Sequence, residues 1–292
     1  MRKGVVLATA VALLTVMFAW SQWDGGPSIE PSGDVELAPP MDVSLMQVRT
    51  AESTRRVAIR ITNTGHEAFT VTAVRLIWPA LPESAETPKD SVFGPGRTID
   101  LSTMYGQPDC TGYPQLPPTP PAAEIQLADT DSIVTRPLDA HGQEWIERLY
   151  ADECKAAALH AVADIRLLDQ WTRIEVDGRP FLRGWLELDR VSGDQTVTVD
   201  SIFGSVLVGF WPANPGRPVA VLSGGQQSVR IPVLLGAYNR CDDHALAGAT
   251  QVFLLSVFTR YGTTPAQRII VSPSVPVRNR ALDVVHDACL GA

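Results

Sequence analysis

The chain has 292 residues and a formal net charge of −8, with 45% hydrophobic and 19% charged residues. That balance excludes an intrinsically disordered protein, and the length suits two ordinary domains with real cores. The 24 basic residues form no concentrated stretch, which argues against a phosphate-tracking surface, so no nucleic-acid partner is expected.

Residues 1–23 read as a targeting element outside the fold. Arg2 and Lys3 open it, and no charge follows from Gly4 to Trp23. The apolar run Gly4 to Trp20 would be about 26 Å long as a helix, the short end of what spans a bilayer. Ala19-Trp20-Ser21 offers a secretory cleavage site after Ser21, whereas the length of the run and Trp20 and Trp23 at its outer end suit an uncleaved anchor. The anchor is the expectation: a single-pass membrane protein with its C-terminal bulk outside the cytoplasm, or a secreted one if cleavage occurs. Residues 24–40 (DGGPSIEPSGDVELAPP) read as a flexible Pro/Gly/acidic linker, with a reach of roughly 50 Å if extended.

Residues 41–158 then read as a first β-sandwich. Met41 to Leu45 and Val57 to Ile61 alternate apolar and polar, the pattern of strands with one buried face. Asn63-Thr64-Gly65 supplies a turn, Phe69 to Trp78 a third strand stopped by Pro79, and Pro79 to Gly96 a loop dense in turn formers. Ile99 to Leu101 alternates again, and Pro108 to Pro121 is dense in proline. Glu124 to Leu127 and Ser132 to Thr135 predict a hairpin across Asp129-Thr130-Asp131. Gln143 to Cys154 places Trp145, Ile146, Leu149, Tyr150 and Cys154 at helical spacing.

Residues 159–292 repeat this order. Asp164 to Leu167, Trp185 to Leu188, and Val197 to Trp211 answer the first three strands. Gly224-Gly225 precedes Val229 to Ile231, Val252 to Phe258 pairs with Arg268 to Val271, and Arg278 to Cys289 is the closing helix. Trp78-Pro79-Ala80 recurs as Trp211-Pro212-Ala213, and Tyr105 as Tyr238. The expected fold is all-β: two tandem sandwich repeats, each closed by a short C-terminal α-helix, after an N-terminal membrane helix. Six short strands per repeat resemble an immunoglobulin-like organisation, an architecture that carries no functional residues with it.

The four cysteines follow the repeat. An oxidising compartment implies two disulfides, and of three possible pairings the repeat selects Cys110–Cys154 and Cys241–Cys289. A zinc site would need cysteines within a few residues of each other, and none are. Asp242, Asp243 and His244 beside Cys241, with Asp283, His286 and Asp287 beside Cys289, form a candidate metal cluster; an acidic, solvated surface is the expected alternative. The two Trp-Pro-Ala motifs read as core residues ending strands, with exposed aromatic platforms as the alternative. The proline-rich segment reads as cover for a sheet edge, with a docking ligand as the alternative.

No catalytic motif is present: no Gly-x-Ser-x-Gly, no His-Glu-x-x-His and no phosphate-cradling loop. The expectation is a non-enzymatic binding or structural module of the cell envelope, without cofactor, contacting another envelope protein or a wall component. A metal or small-ligand domain centred on the second repeat is the alternative, as is an accessory subunit of an envelope enzyme.

Overall fold

The computed structural model describes residues 38–292 except 83, 129–131, 239–240, 243–253 and 291–292; of residues 49, 50 and 290 it describes the backbone alone. The expected membrane segment, 1–23, and most of the linker lie outside the described residues. Among the described residues no helix is long and apolar enough to cross a membrane.

In the first half, β1 (Met41–Met46) leads through a 3-10 turn (Arg49–Thr54) to β2 (Arg56–Asn63), β3 (Phe69–Ile77), β4 (Thr87–Phe93), β5 (Thr98–Met104), β6 (Ala122–Leu127) and β7 (Ile133–Pro137). These strands form two antiparallel sheets, ordered β1-β2-β5 and β4-β3-β6-β7. Strand β2 shows why: Val57, Ile59 and Ile61 turn to the core, while Arg60 turns outward to Asp100 of β5 at 2.7 Å. Phe69 and Phe93 stack at 5.1 Å between ring centres, and Val43, Leu45 and Leu101 of one sheet join Val71, Leu76 and Ile125 of the other in a single core. Burial of this apolar surface between the sheets is the main stabilising term.

The second half contains β8 (Ala163–Leu167), β9 (Thr172–Val176), β10 (Arg179–Arg190), β11 (Val197–Phe203), β12 (Val208–Pro212), β13 (Ala220–Leu222), β14 (Ser228–Ala237), β15 (Leu255–Tyr261) and β16 (Gln267–Val271). Its sheets are ordered β8-β10-β14-β12, with β9 also paired to β10, and β13-β11-β15-β16. With β8, β10 and β14 in the places of β1, β2 and β5, and β13, β11, β15 and β16 in those of β4, β3, β6 and β7, the two halves share one strand order. The chain is therefore an all-β, sandwich-like fold with two α-helices among its described residues.

Helix α1 (Ala140–His160) closes the first half. Asp139 caps it by accepting from the Gly142 amide at 2.6 Å and is held by Ser44 Oγ at 2.8 Å. Gly142 is required there, because a β-carbon would lie 2.7 Å from the Leu45 amide nitrogen. Ile146, Leu149, Tyr150 and Cys154 bury into the first core, whereas Leu159, five residues on, buries into the second. One continuous helix thus serves both cores across the 158/159 boundary read from sequence. Helix α2 (Val275–Leu290) packs Val277, Ala281, Val284 and Val285 into the second core. Disulfides join Cys110 to Cys154 and Cys241 to Cys289, leaving no free cysteine.

Three local features differ from the sequence reading. The loop expected from Pro79 to Gly96 contains β4, an edge strand that tolerates Pro88 because its outer side needs no amide partner. Strand β9 reaches β10 through a tight turn at Asp177-Gly178, both with positive φ (50° and 74°), which pairs two strands where one was expected. The run from Val197 to Trp211 is two strands in different sheets. It breaks at Gly204, where a β-carbon would lie 2.0 Å from the Val208 carbonyl oxygen, and β12 then crosses to pair with β14.

Candidate functional site

A cleft of about 610 Å³ opens where α1 of the first half meets β15 and β16 of the second. It falls within the ~300–1,000 Å³ typical of small-ligand sites, and it lies between packed units, where such sites concentrate. Trp145, Arg148, Asp152 and Lys155 line one wall, each about one turn from the next along α1 and so on one helical face. Phe258, Arg268 and Ile270 line the opposite wall. Gln47, Glu52, Arg55 and Tyr105, from the segments that follow β1 and β5, close an end.

The polar groups of the cleft are largely spent on one another. Glu153 accepts from Tyr105 Oη at 2.8 Å and from Arg55 at 3.2 Å. Burial, then the neighbouring Glu153 carboxylate, pushes the Tyr105 hydroxyl well above its usual range, so it remains a protonated donor. Arg268 donates to Glu52 at 2.8 Å and to Ser256 at 2.9 Å, and Lys155 lies 3.5 Å from Asp152. Arg148 differs. Its guanidinium sits 4.8 Å over the Trp145 ring, and it has no carboxylate partner among the described residues. Four basic side chains thus face three acidic ones, in a chain that is acidic overall.

Of the six candidate metal residues, four are described. Asp243 and His244 lie outside the described residues. Asp242, Asp283 and His286 are exposed, and Asp287 forms a 2.7 Å ion pair with Arg173 of β9. Among the described residues no three metal-ligating side chains stand together. The bridged cysteines hold the loop after β5 against α1, and Cys241, four residues past the end of β14, against α2.

The two Trp-Pro-Ala motifs part company. Trp78 is buried, donates from Nε1 to the Thr119 carbonyl at 3.1 Å, and meets Tyr150 edge-on. The proline-dense segment lies over this corner, tied by Tyr150 Oη to the Asp109 carbonyl at 2.9 Å. Trp211, carried by the sheet-switching β12, turns to the opposite side from buried Phe210. Its ring lies over Gly209, where a β-carbon would come within 1.7 Å of it, and it meets Phe181 and Tyr238 edge-on. With partly exposed Trp185, these residues give the second half an aromatic outer face.

Sequence reasoning did not reach the cleft. Trp145 was legible only as part of a helical stripe, and Arg148 and Arg268 stand 120 residues apart with no motif between them. A lone arginine three residues after a tryptophan on a helix is the one local signal that pointed there.

No protein-family model and no curated protein matches the chain. Among solved structures it is similar to a protein of unknown function from Porphyromonas gingivalis W83 (12% identity, TM-score 0.22, covering 79% of this chain and 94% of that one). It is similar to the B domain of a biofilm-associated protein (8% identity, TM-score 0.22, 78% and 82% covered). It is also similar to an exo-chitosanase from Amycolatopsis orientalis (14% identity, TM-score 0.18, 78% and 26% covered). At such scores these likenesses assign neither family nor activity.

Proposed function

We propose that the chain is an exported, membrane-anchored, non-enzymatic binding module of the cell envelope, built of two tandem immunoglobulin-like sandwiches. The observation that carries this reading is the cleft between the two halves. It is concave, walled by a helix and two strands, and lined by mutually paired charges, with an arginine left to bind. A three-stranded sheet facing a four-stranded one in the first half, with the same strand order extended by β9 and β12 in the second, supports the immunoglobulin-like description. Two formed disulfides in a chain without other cysteines suit an oxidising compartment. The uncharged run from Gly4 to Trp23 supplies the export signal and, uncleaved, the anchor.

The non-enzymatic part of the proposal rests on the chemistry of the cleft. A nucleophile needs an adjacent base to activate it. Here Tyr105 is made less acidic, and the three cleft carboxylates are neutralised by Arg55, Arg268 and Lys155. The partner is an envelope component, protein or wall polymer.

The test is protease treatment of intact cells that carry the full chain, followed by N-terminal sequencing of the mature protein. Degradation without lysis, with the N-terminal segment retained, is expected. A chain protected until the membrane is breached would overturn the reading, and a mature start at Gln22 would replace the anchor by a cleaved signal.

A further inference from the structure

We infer that the cleft between α1 and β16 takes an anionic ligand, a carboxylate- or phosphate-bearing saccharide unit, with Arg148 as its direct contact; this rests on the binding-module reading above. The charge distribution carries it furthest. In a chain of net charge −8, this cavity has more basic than acidic side chains, and each of its carboxylates already has a cationic partner. An incoming anion therefore meets no uncompensated negative charge there.

Arg148 is held ready by Trp145. Lying 4.8 Å over the ring, the guanidinium keeps its N–H edge free, and that planar fork matches a carboxylate or phosphate in two-point fashion. Because stacking orients the group in advance, less freedom is lost on binding. Arg268 faces it from the other wall. Its Nη1 donates to Glu52 and its Nε to Ser256, leaving Nη2 without a partner among the described residues. Lys155 lies seven residues beyond Arg148 on the same helical face.

The rest of the lining sets the skeleton that bears the charge. Phe258, Ile270 and buried Leu149 give apolar surface for the C–H face of a sugar ring, and Gln47 and His160 offer polar groups at the rim. A free inorganic anion would leave that apolar surface unused.

The full chain is titrated calorimetrically with glucuronic acid, glucose 6-phosphate and glucose, at low and high salt. At least one acid binds, about tenfold or more tighter than glucose, and weakens as salt rises. Whichever acid binds identifies carboxylate or phosphate as the recognised group. R148Q weakens it about tenfold or more, R268Q does so to a lesser extent, and R183Q, on the outer face of β10, leaves it unchanged. Equal binding of glucose, failure of both acids to bind, or full affinity in R148Q would each overturn the inference. Those results leave the envelope assignment standing when the chain is degraded on intact cells; protection from protease there removes that assignment whatever the titration gives.

Discussion

Arg268 of β16 donates to the Glu52 carboxylate at 2.8 Å across 216 residues of sequence, joining the second half to the 3-10 turn that follows β1. The pair sits at the mouth of the cleft, so it helps to set the distance between the cleft walls. Both side chains are partly exposed, which keeps the contribution small despite good geometry.

Removing the pair should therefore cost little stability. E52Q is expected to destabilise by roughly 0.5–1 kcal/mol, and the double variant E52Q/R268Q by less than the sum of the two singles. Urea unfolding of the four species in a double-mutant cycle gives the coupling directly. Strict additivity would mean that the pair does not bridge the halves in solution.

Leu159 is fully buried in the second core although α1 begins in the first. L159A is expected to cost about 2–4 kcal/mol, within the range for leucine truncation in a core. I146A, on the same helix but in the first core, should cost a similar amount. If the halves unfold together, each variant shifts one common transition. Two resolved transitions, with only one moved by each variant, would show that α1 does not couple them.

Each disulfide closes a loop of more than forty residues, Cys110 to Cys154 and Cys241 to Cys289. In the chain-entropy account each contributes on the order of 4 kcal/mol. Reduction should lower the denaturant midpoint strongly, and C110A/C154A and C241A/C289A should each reproduce part of the loss. An unchanged midpoint after verified reduction would refute this.

Glu187 of β10 has 6% of its side chain exposed and lies between Arg230 and Arg166, each at 2.6 Å. The hydrogen bond from Arg230 is the largest influence, and although burial opposes it, the carboxyl is held below the usual range near 4.5. A depressed folded pKa means that the unfolded state binds the proton more readily. The contribution is thus complete above the unfolded value and is lost as pH falls through the folded one. E187Q should therefore destabilise the protein more at neutral pH than in acid, where the difference closes. A pH-independent difference would show that the carboxylate charge is not what stabilises.

Much of the fold was legible because burial imposes periodicity. Val57, Ile59 and Ile61 announce a strand, the stripe from Trp145 to Cys154 announces a helix, and the cysteine spacings announce two equivalent halves. Strand β4 escaped because Pro88, Lys89 and Asp90 look like a loop, although an edge strand accepts them. Strand β9 was missed as well, although Asp177-Gly178 is a strong hairpin signal. Identical Trp-Pro-Ala motifs could not disclose that Trp78 is buried and Trp211 turned outward, because that depends on β12 changing sheets at Gly204. The cleft was illegible for a similar reason: it is made by α1 and β16, whose residues meet only when the halves pack.

The most direct test of the account is hydrogen–deuterium exchange of the full chain with and without its purified cell-envelope fraction. Slowed exchange is predicted in the segment from Trp145 to Ala156 and in Gln267 to Ile270, with the outer face around Trp185 and Trp211 unchanged. Unaltered exchange in the cleft, or protection confined to that aromatic face, would contradict a binding site between the two halves.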